Sequence, residues 1–260
     1  MRTNWWAGLL VALLPAPLAP FLPAPLAAQS LAQRVQGAGD GTVRLSFAAR
    51  EGVCSRGPGS ITILDDDDAD EEWESDCEGG PVRVSLRIQG GRVADSETYV
   101  GGRWRAGRGR VTDLGVVPPQ EAADLLLALA PHVSDDDGGE LVTAATLADS
   151  VVVWPQLLRM ARDSGIREET RRQAVFWLGQ AAGHAATRGL DSIARDSGGE
   201  IEIRKQAVFA LSQRPAEEGV PILIRIARSN RHPELRKTAL FWLGQSEDPR
   251  ALTLFEEILR

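Results

Sequence analysis

The side chains that most often carry out catalysis or bind metal ions are few in this sequence and do not cluster. Three histidines, His132, His184 and His232, lie far apart along the chain. The sequence contains no H-E-x-x-H zinc motif, no glycine-rich phosphate loop and no G-x-S-x-G nucleophile motif. We therefore predict no catalytic residues, no metal site and no cofactor.

The acidic segment DDDDADEEWESD, residues 65–76, is the best candidate for metal binding. Asp65, Asp67, Asp70 and Asp76 offer the hard oxygen ligands that Ca²⁺ prefers. An EF-hand loop has glycine at its sixth position and glutamate at its twelfth, where this segment has Asp70 and Asp76. The simpler interpretation is a solvated charged loop, and a calcium site is the alternative.

Arginines recur near the ends of several predicted helices. Four of them lie in the segments MARD, IARD, IARS and EILR, each near the end of a predicted second helix, at intervals of 33, 33 and 32 residues. Two more lie one helical turn earlier. We call these six residues the arginine ladder: Arg159, Arg162, Arg195, Arg225, Arg228 and Arg260. One interpretation is helix capping, because a cation in the last turn stabilises a helix by about 0.3–1 kcal/mol. The other is a binding site for an acidic segment, either of a partner protein or residues 65–76 of the chain itself.

The cysteines and the N-terminus predict an exported protein. Residues 1–28 combine Arg2, an apolar run at 5–14 and a proline-rich stretch that ends in small residues, which is the pattern of a signal peptide. We expect cleavage after Ala28, no membrane span thereafter, and a periplasmic or secreted location. Cys54 and Cys77 are the two cysteines of the sequence, and in an oxidising compartment they form one disulfide.

The predicted secondary structure divides the chain into a β-rich part and a helical part. From Gly41 to about Val100 the pattern has a period of two: TVRLSF and SITIL predict strands, and residues 81–100 predict a hairpin with Gly90 and Gly91 at its turn. Residues 29–110 are therefore a small β-rich domain, and residues 111–139 a linker and a helix. Residues 140–260 have helical periodicity throughout.

The helical part repeats itself. The segments RRQAVFWLGQ, RKQAVFALSQ and RKTALFWLGQ begin 33 and then 32 residues apart, and each is followed by a second predicted helix. Their alanine, tryptophan and leucine positions share one helix face and predict a buried seam between repeats. A second column, Phe176, Phe209 and Phe241, lies on the opposite side. It either packs against neighbouring helices or forms an apolar docking strip.

The segment HPELRKTALFWLGQSEDPRALTLFEEILR, residues 232–260, resembles the short HEAT-like repeats, including those of the phycobilisome-lyase type. The resemblance covers residues 140–260 as four repeats, of which the first is degenerate. It implies an α-solenoid and is nearly silent on function. Deoxyhypusine hydroxylases of similar fold bind iron through repeated His-Glu pairs. Here the nearest approach is a single His232-Pro233-Glu234, so that activity does not carry over.

The charge of the sequence argues against nucleic acid as a partner. The net charge is −7, and no broad basic surface of the kind that nucleic acid requires is present. We predict an α+β protein with an N-terminal β domain and a C-terminal α-solenoid of about four HEAT-like hairpins. The predicted function is a non-catalytic, exported scaffold that binds an unknown protein partner. The alternative is an enzyme or metal-dependent module centred on the β-rich domain.

Overall fold

The computed structural model describes residues 29–56, 60–63, 77–107, 109–181 and 183–260. The predicted signal peptide, residues 1–28, and the acidic segment with its candidate calcium ligands Asp65, Asp67, Asp70 and Asp76 lie outside the described residues.

The N-terminal part is built on a four-stranded sheet with the order β6-β5-β1-β7. Its strands are β1 (Gly41–Phe47), β5 (Val82–Gln89), β6 (Arg92–Val100) and β7 (Val111–Val116). The predicted hairpin is confirmed, because β5 and β6 pair antiparallel around Gly90 and Gly91, whose positive φ angles of 58° and 73° favour glycine. The alternating valine, leucine and isoleucine side chains of β5 are buried, as the period of two predicts.

A second, smaller sheet has the order β3-β2-β4 and carries the disulfide. Its strands are β2 (Val53–Ser55), β3 (Thr62–Ile63) and β4 (Glu78–Gly79). Cys54 in β2 is bonded to Cys77, which directly precedes β4. The predicted pairing of the two cysteines is therefore present in the structure. The bond links β2 to the residue before β4, so the acidic segment lies within the loop that the disulfide closes.

Residues 111–139 differ from the predicted linker. Val111–Val116 forms β7, which pairs parallel with β1 at the sheet edge. The helix predicted after Pro118 is present as α2 (Pro119–Leu129), and Gln156 of the helical part donates a hydrogen bond to its Asp124 (2.6 Å). A further helix, α1 (Leu31–Gly37), was not predicted.

The helical part has two layers. First helices α3 (Asp135–Thr146), α5 (Glu168–Gln180), α7 (Ile201–Ser212) and α9 (Pro233–Gly244) pack in sequence against one another. Second helices α4 (Trp154–Arg162), α6 (His184–Arg195), α8 (Ala216–Ser229) and α10 (Pro249–Leu259) form the other layer. This arrangement of four hairpins is the predicted α-solenoid. The fold class α+β is confirmed.

The predicted seam between repeats is buried. Its members are Ala174, Trp177 and Leu178 in α5, Ala207, Ala210 and Leu211 in α7, and Ala239, Trp242 and Leu243 in α9; of these, Trp242 is half-buried. Close approach explains a small residue in the repeated motif, since a Cβ added at Gly179 would lie 2.9 Å from Cβ of Ala210. The repeated letters therefore encode packing between neighbouring first helices.

The sheet is attached to the first repeat at two points. Ala49 and Ala148 form an isolated antiparallel bridge beside a backbone hydrogen bond from Arg50 to Leu147 (2.8 Å). At the start of α3, Oδ1 of Asp137 accepts hydrogen bonds from the backbone nitrogen of Ser96 in β6 (2.7 Å) and from its hydroxyl (3.0 Å). The segment SDDDGGE, residues 134–140, contains the N-cap residue Ser134 and the start of this helix.

Candidate binding surface of the second helices

The second helices place the arginine ladder in one row. The helices α4 and α6 end at Arg162 and Arg195, and Arg228 lies in the last turn of α8. Arg260 is the residue that follows α10. Because α4, α6, α8 and α10 are successive neighbours in one layer, side chains at equivalent ends of these helices lie next to one another.

The ladder arginines form cross-links between adjacent second helices. Arg162 in α4 donates a hydrogen bond to the hydroxyl of Ser192 in α6. Arg225 in α8 forms an ion pair with Asp191 in α6, with 2.5 Å between Nη2 and Oδ1. Arg228 in α8 forms an ion pair with Glu257 in α10. Each contact joins one repeat to the next, a role that the sequence analysis did not anticipate.

Helix capping accounts for one ladder contact in the described part of the chain. Nε of Arg195 donates to the backbone carbonyl of Asp191 at 3.4 Å, and Nη2 lies 2.8 Å from the Asp191 carboxylate. The carboxylate of Asp191 is 10% exposed and lies between Arg195 and Arg225, so it is the central anion of the row. Sequence reasoning missed Asp191, although a carboxylate four residues before Arg195 is a recognisable helix ion pair.

The ladder keeps an excess of positive charge. Three of its six guanidinium groups, those of Arg195, Arg225 and Arg228, pair with two carboxylates, Asp191 and Glu257, among the residues that the structure describes. Exposure of the side chains is 60% for Arg195, 48% for Arg225 and 52% for Arg228. These guanidinium groups are therefore fixed at one edge by a neighbouring helix and reach solvent at another.

A groove of about 410 Å³ adjoins the ladder where α2 packs beside α4. Arg159 lines it together with Leu127, Met160 and Ile166, and Asp124 and Asp163 add negative charge. The helix α2, which the sequence assigned to a linker region, thus extends the second-helix layer by one element. An apolar floor beside an arginine suits a peptide that carries both an acidic and an apolar side chain.

The phenylalanine column has mixed surroundings. Phe209 in α7 packs on Trp242 of α9, with 4.9 Å between ring centroids, and Phe176 is partly buried against the core. Phe241 is 59% exposed and touches Trp242 edge-to-face at 5.0 Å. Packing between first helices therefore explains Phe209, while Phe241 leaves an apolar side chain in solvent.

Arg214 is the most enclosed cation on this side of the array, and the sequence analysis did not single it out. Its guanidinium donates to the carbonyls of Gly179 (2.9 Å) and Ala181 (2.5 Å), which end α5, and pairs with Glu218 at 3.3 Å. The hydroxyl of Thr187 also donates to Glu218 and is the main cause that lowers the pKa of this carboxyl below its usual range. The cluster is structural, since these bonds cap α5 and orient α6 and α8.

The histidines and acidic residues show no assembled metal site within the described ranges. His184 pairs with Glu218 at 2.9 Å, and its side chain is 78% exposed. No three His, Cys, Asp or Glu side chains in the described segments are grouped so that they could hold a metal ion. The described helices also include none with the length and apolar character that a membrane crossing requires.

Comparison with known proteins agrees with the geometry of the helical layers. Comparison with curated proteins gives no significant match to this chain. A family model for HEAT repeats matches residues 187–260, which run from α6 to the end of α10. The match supports HEAT-like repeats at residues 187–260, and the two-layer packing of α3 to α10 is consistent with a HEAT-like solenoid.

Proposed function

We propose that this protein is a non-catalytic scaffold that binds an acidic segment of a partner protein on its second-helix surface. The observation that carries the proposal is the arginine ladder, in which Arg195, Arg225 and Arg228 share two carboxylates among the described residues and still reach solvent. HEAT repeats commonly serve as protein-interaction scaffolds, which supports a binding role for the solenoid.

The chemistry of arginine suits this role. A guanidinium group donates in a planar fork that matches a carboxylate, and it remains charged at every physiological pH. The contacts of Arg225 with Asp191 and of Arg228 with Glu257 restrict these side chains before a ligand arrives. Less conformational entropy is then lost on binding, which favours affinity.

We further propose that the protein is exported to the periplasm or secreted. The N-terminal pattern of residues 1–28 supports export, as does the disulfide between Cys54 and Cys77, because such bonds persist mainly in oxidising compartments. The resemblance to the phycobilisome-lyase type of repeat describes the repeat sequence, and we carry no lyase activity over from it.

The test measures binding of an acidic probe peptide to the full chain. The probe is a fluorescein-labelled peptide with the sequence of residues 65–76, and binding is followed by fluorescence anisotropy at 20 and 200 mM NaCl. We expect the variant with Arg195→Ala and Arg228→Ala to bind about tenfold more weakly at 20 mM NaCl and to show a smaller loss with salt.

The control removes the same charge from the first-helix layer. Arg172 and Lys205 pair with Glu169 and Glu202 at 3.3 Å and 3.2 Å on that side. The variant with Arg172→Ala and Lys205→Ala should bind the probe as the wild-type chain does. If the ladder variant matches wild type at 20 mM NaCl, the ladder proposal is wrong, and Phe241 becomes the next residue to test.

A further inference from the structure

A cavity of about 150 Å³ opens at the edge of the array where α4, α5, α6 and α7 meet, and Arg162, Asp196 and Glu200 at its rim are exposed. Three arginines from three different helices line it: Arg162 from α4, Arg171 from α5 and Arg204 from α7. The turn between α6 and α7 contributes Gly198 and Gly199 to the same walls. Arg171 and Arg204 are buried, and a buried cation is costly unless an anion compensates it.

Arg204 is the least compensated of the three. It is 7% exposed, and its Nε donates to the backbone carbonyl of Ala194 at 3.2 Å. It forms no ion pair with a carboxylate in the part of the chain that the structure describes. A carbonyl satisfies one donor but supplies no negative charge, so Arg204 has no anionic partner among the described residues.

The other two arginines leave donors and charge available. Arg171 is 4% exposed and reaches Glu200 through Nη2 at 2.6 Å, while its buried Nε has no hydrogen-bond partner among the described residues. Arg162 donates to a neutral hydroxyl, that of Ser192. The cavity also contains Asp196, whose Oδ1 accepts the backbone N–H of Gly198 at 3.0 Å. The walls therefore carry three cations and two carboxylates.

The N-terminus of α7 adds positive potential to the cavity. The helix begins at Ile201, and its N-cap residue Glu200 makes no side-chain hydrogen bond to the first turn. Both Glu200 and Ile203 line the cavity, so the uncapped first turn borders it. Uncapped N–H groups at a helix N-terminus favour anions, because their partial charges and the helix dipole act together.

We propose that this cavity is an oxyanion site that binds a single phosphate, sulfate or carboxylate group. The volume accommodates one such group, and the bound charge compensates Arg204. The proposal does not depend on the function of the ladder, although Arg162 belongs to both. Arg236 is the matched comparison, since it occupies the repeat position of Arg204 but donates to the carbonyls of Asn230 (2.8 Å) and Arg231 (3.4 Å).

The experiment compares thermal unfolding in phosphate, sulfate, acetate and chloride at one ionic strength. We expect an oxyanion to raise the midpoint of the wild-type chain above that in chloride by about 3–8 °C, the shift that a site near saturation produces in a chain of this size. Arg204→Met should lose this increment, and its midpoint in chloride should equal or exceed that of wild type because an uncompensated cation is gone. Arg236→Met should keep the increment.

The responses to the different anions distinguish a phosphate or sulfate ligand from a carboxylate ligand. An increment with phosphate or sulfate identifies a tetrahedral ligand, and an increment with acetate alone identifies a carboxylate; either supports the site. Equal responses in wild type, Arg204→Met and Arg236→Met indicate a general salt effect and overturn the proposal. If Arg204→Met does not fold, calorimetric titration of the wild-type chain decides, and the absence of saturable binding for all three anions overturns it.

Discussion

At the scale of single residues, five ion pairs of the described chain connect elements that are distant in sequence, while the others are local. Arg225 and Asp191 join two repeats, and Arg250 reaches both Asp248 and, in the preceding repeat, Glu217 at 3.2 Å. Such pairs could not be derived from the sequence, because a repeat period brings many charges near one another and side-chain geometry selects among them. What could be read was the periodic position of the ladder arginines.

We expect the acid stability of the protein to depend on Asp248. This N-cap carboxylate accepts hydrogen bonds from the Arg250 guanidinium and backbone, which lower its pKa from its ordinary 3.8 to about 2. A carboxyl group whose pKa falls on folding stabilises the native state above its ordinary pKa, and the contribution is lost as pH falls toward 2. Asp248→Asn keeps a capping side chain but cannot titrate.

The measurement is the thermal midpoint of wild type and Asp248→Asn at pH 6, 4, 3 and 2. The difference between the two proteins should be largest at pH 6 and should shrink between pH 4 and pH 2. A constant difference over this range would contradict the assignment. Glu256→Gln, an exposed position on the same helix, is the control and should follow wild type.

At the scale of elements, sequence patterns predicted those helices and strands whose signal is local. In the β5–β6 hairpin, the glycine turn lies next to a strand with alternating apolar residues. The first helices can be recognised because their sequences repeat. The strand β7 was missed because its partner β1 lies about 70 residues earlier and its own residues, VTDLGV, do not alternate. Helix α1 carried a signal that could have been used, the capping box of Ser30 and Gln33.

We predict that residues of the seam contribute more to the free energy of unfolding than the exposed residue Phe241 of the phenylalanine column does. Leu178 in α5 is fully buried, so Leu178→Ala should lower the free energy of unfolding by about 2–5 kcal/mol through lost contacts and a residual cavity. Phe241 is 59% exposed, and Phe241→Ala should lower it by about 1 kcal/mol or less. Urea denaturation followed by circular dichroism measures both; similar losses would show that Phe241 belongs to the core.

At the scale of the whole molecule, the sheet and the helical array share one hydrophobic core and do not form two separate cores. Buried residues of the sheet and of all four hairpins belong to one hydrophobic cluster, and α3 packs against β6. The sequence predicted two parts with a linker at 111–139. It could not show that β7 and α2 join those parts, because that depends on tertiary contacts.

The mature protein should begin at Gln29 and contain no free thiol. The physical reasons are the signal-peptide pattern of residues 1–28 and the bond between Cys54 and Cys77. Intact mass of protein isolated from its native host, with and without alkylation in the absence of reductant, measures both features. Retention of Trp5 and Trp6, or the addition of two alkyl groups, would contradict export or the disulfide respectively.

The attachment of the sheet to the first repeat should make the two ends of the array differ in local stability. In a stack with only nearest-neighbour contacts, both terminal hairpins lack one neighbour and open most easily. Here the Ala49–Ala148 bridge and the bonds from Ser96 to Asp137 supply that missing neighbour to α3. At the other end, α9 and α10 bury three and two residues. Since α10 buries two residues and α5 buries seven, we expect local opening to be easiest at α10 and amide protons to exchange more slowly toward the sheet.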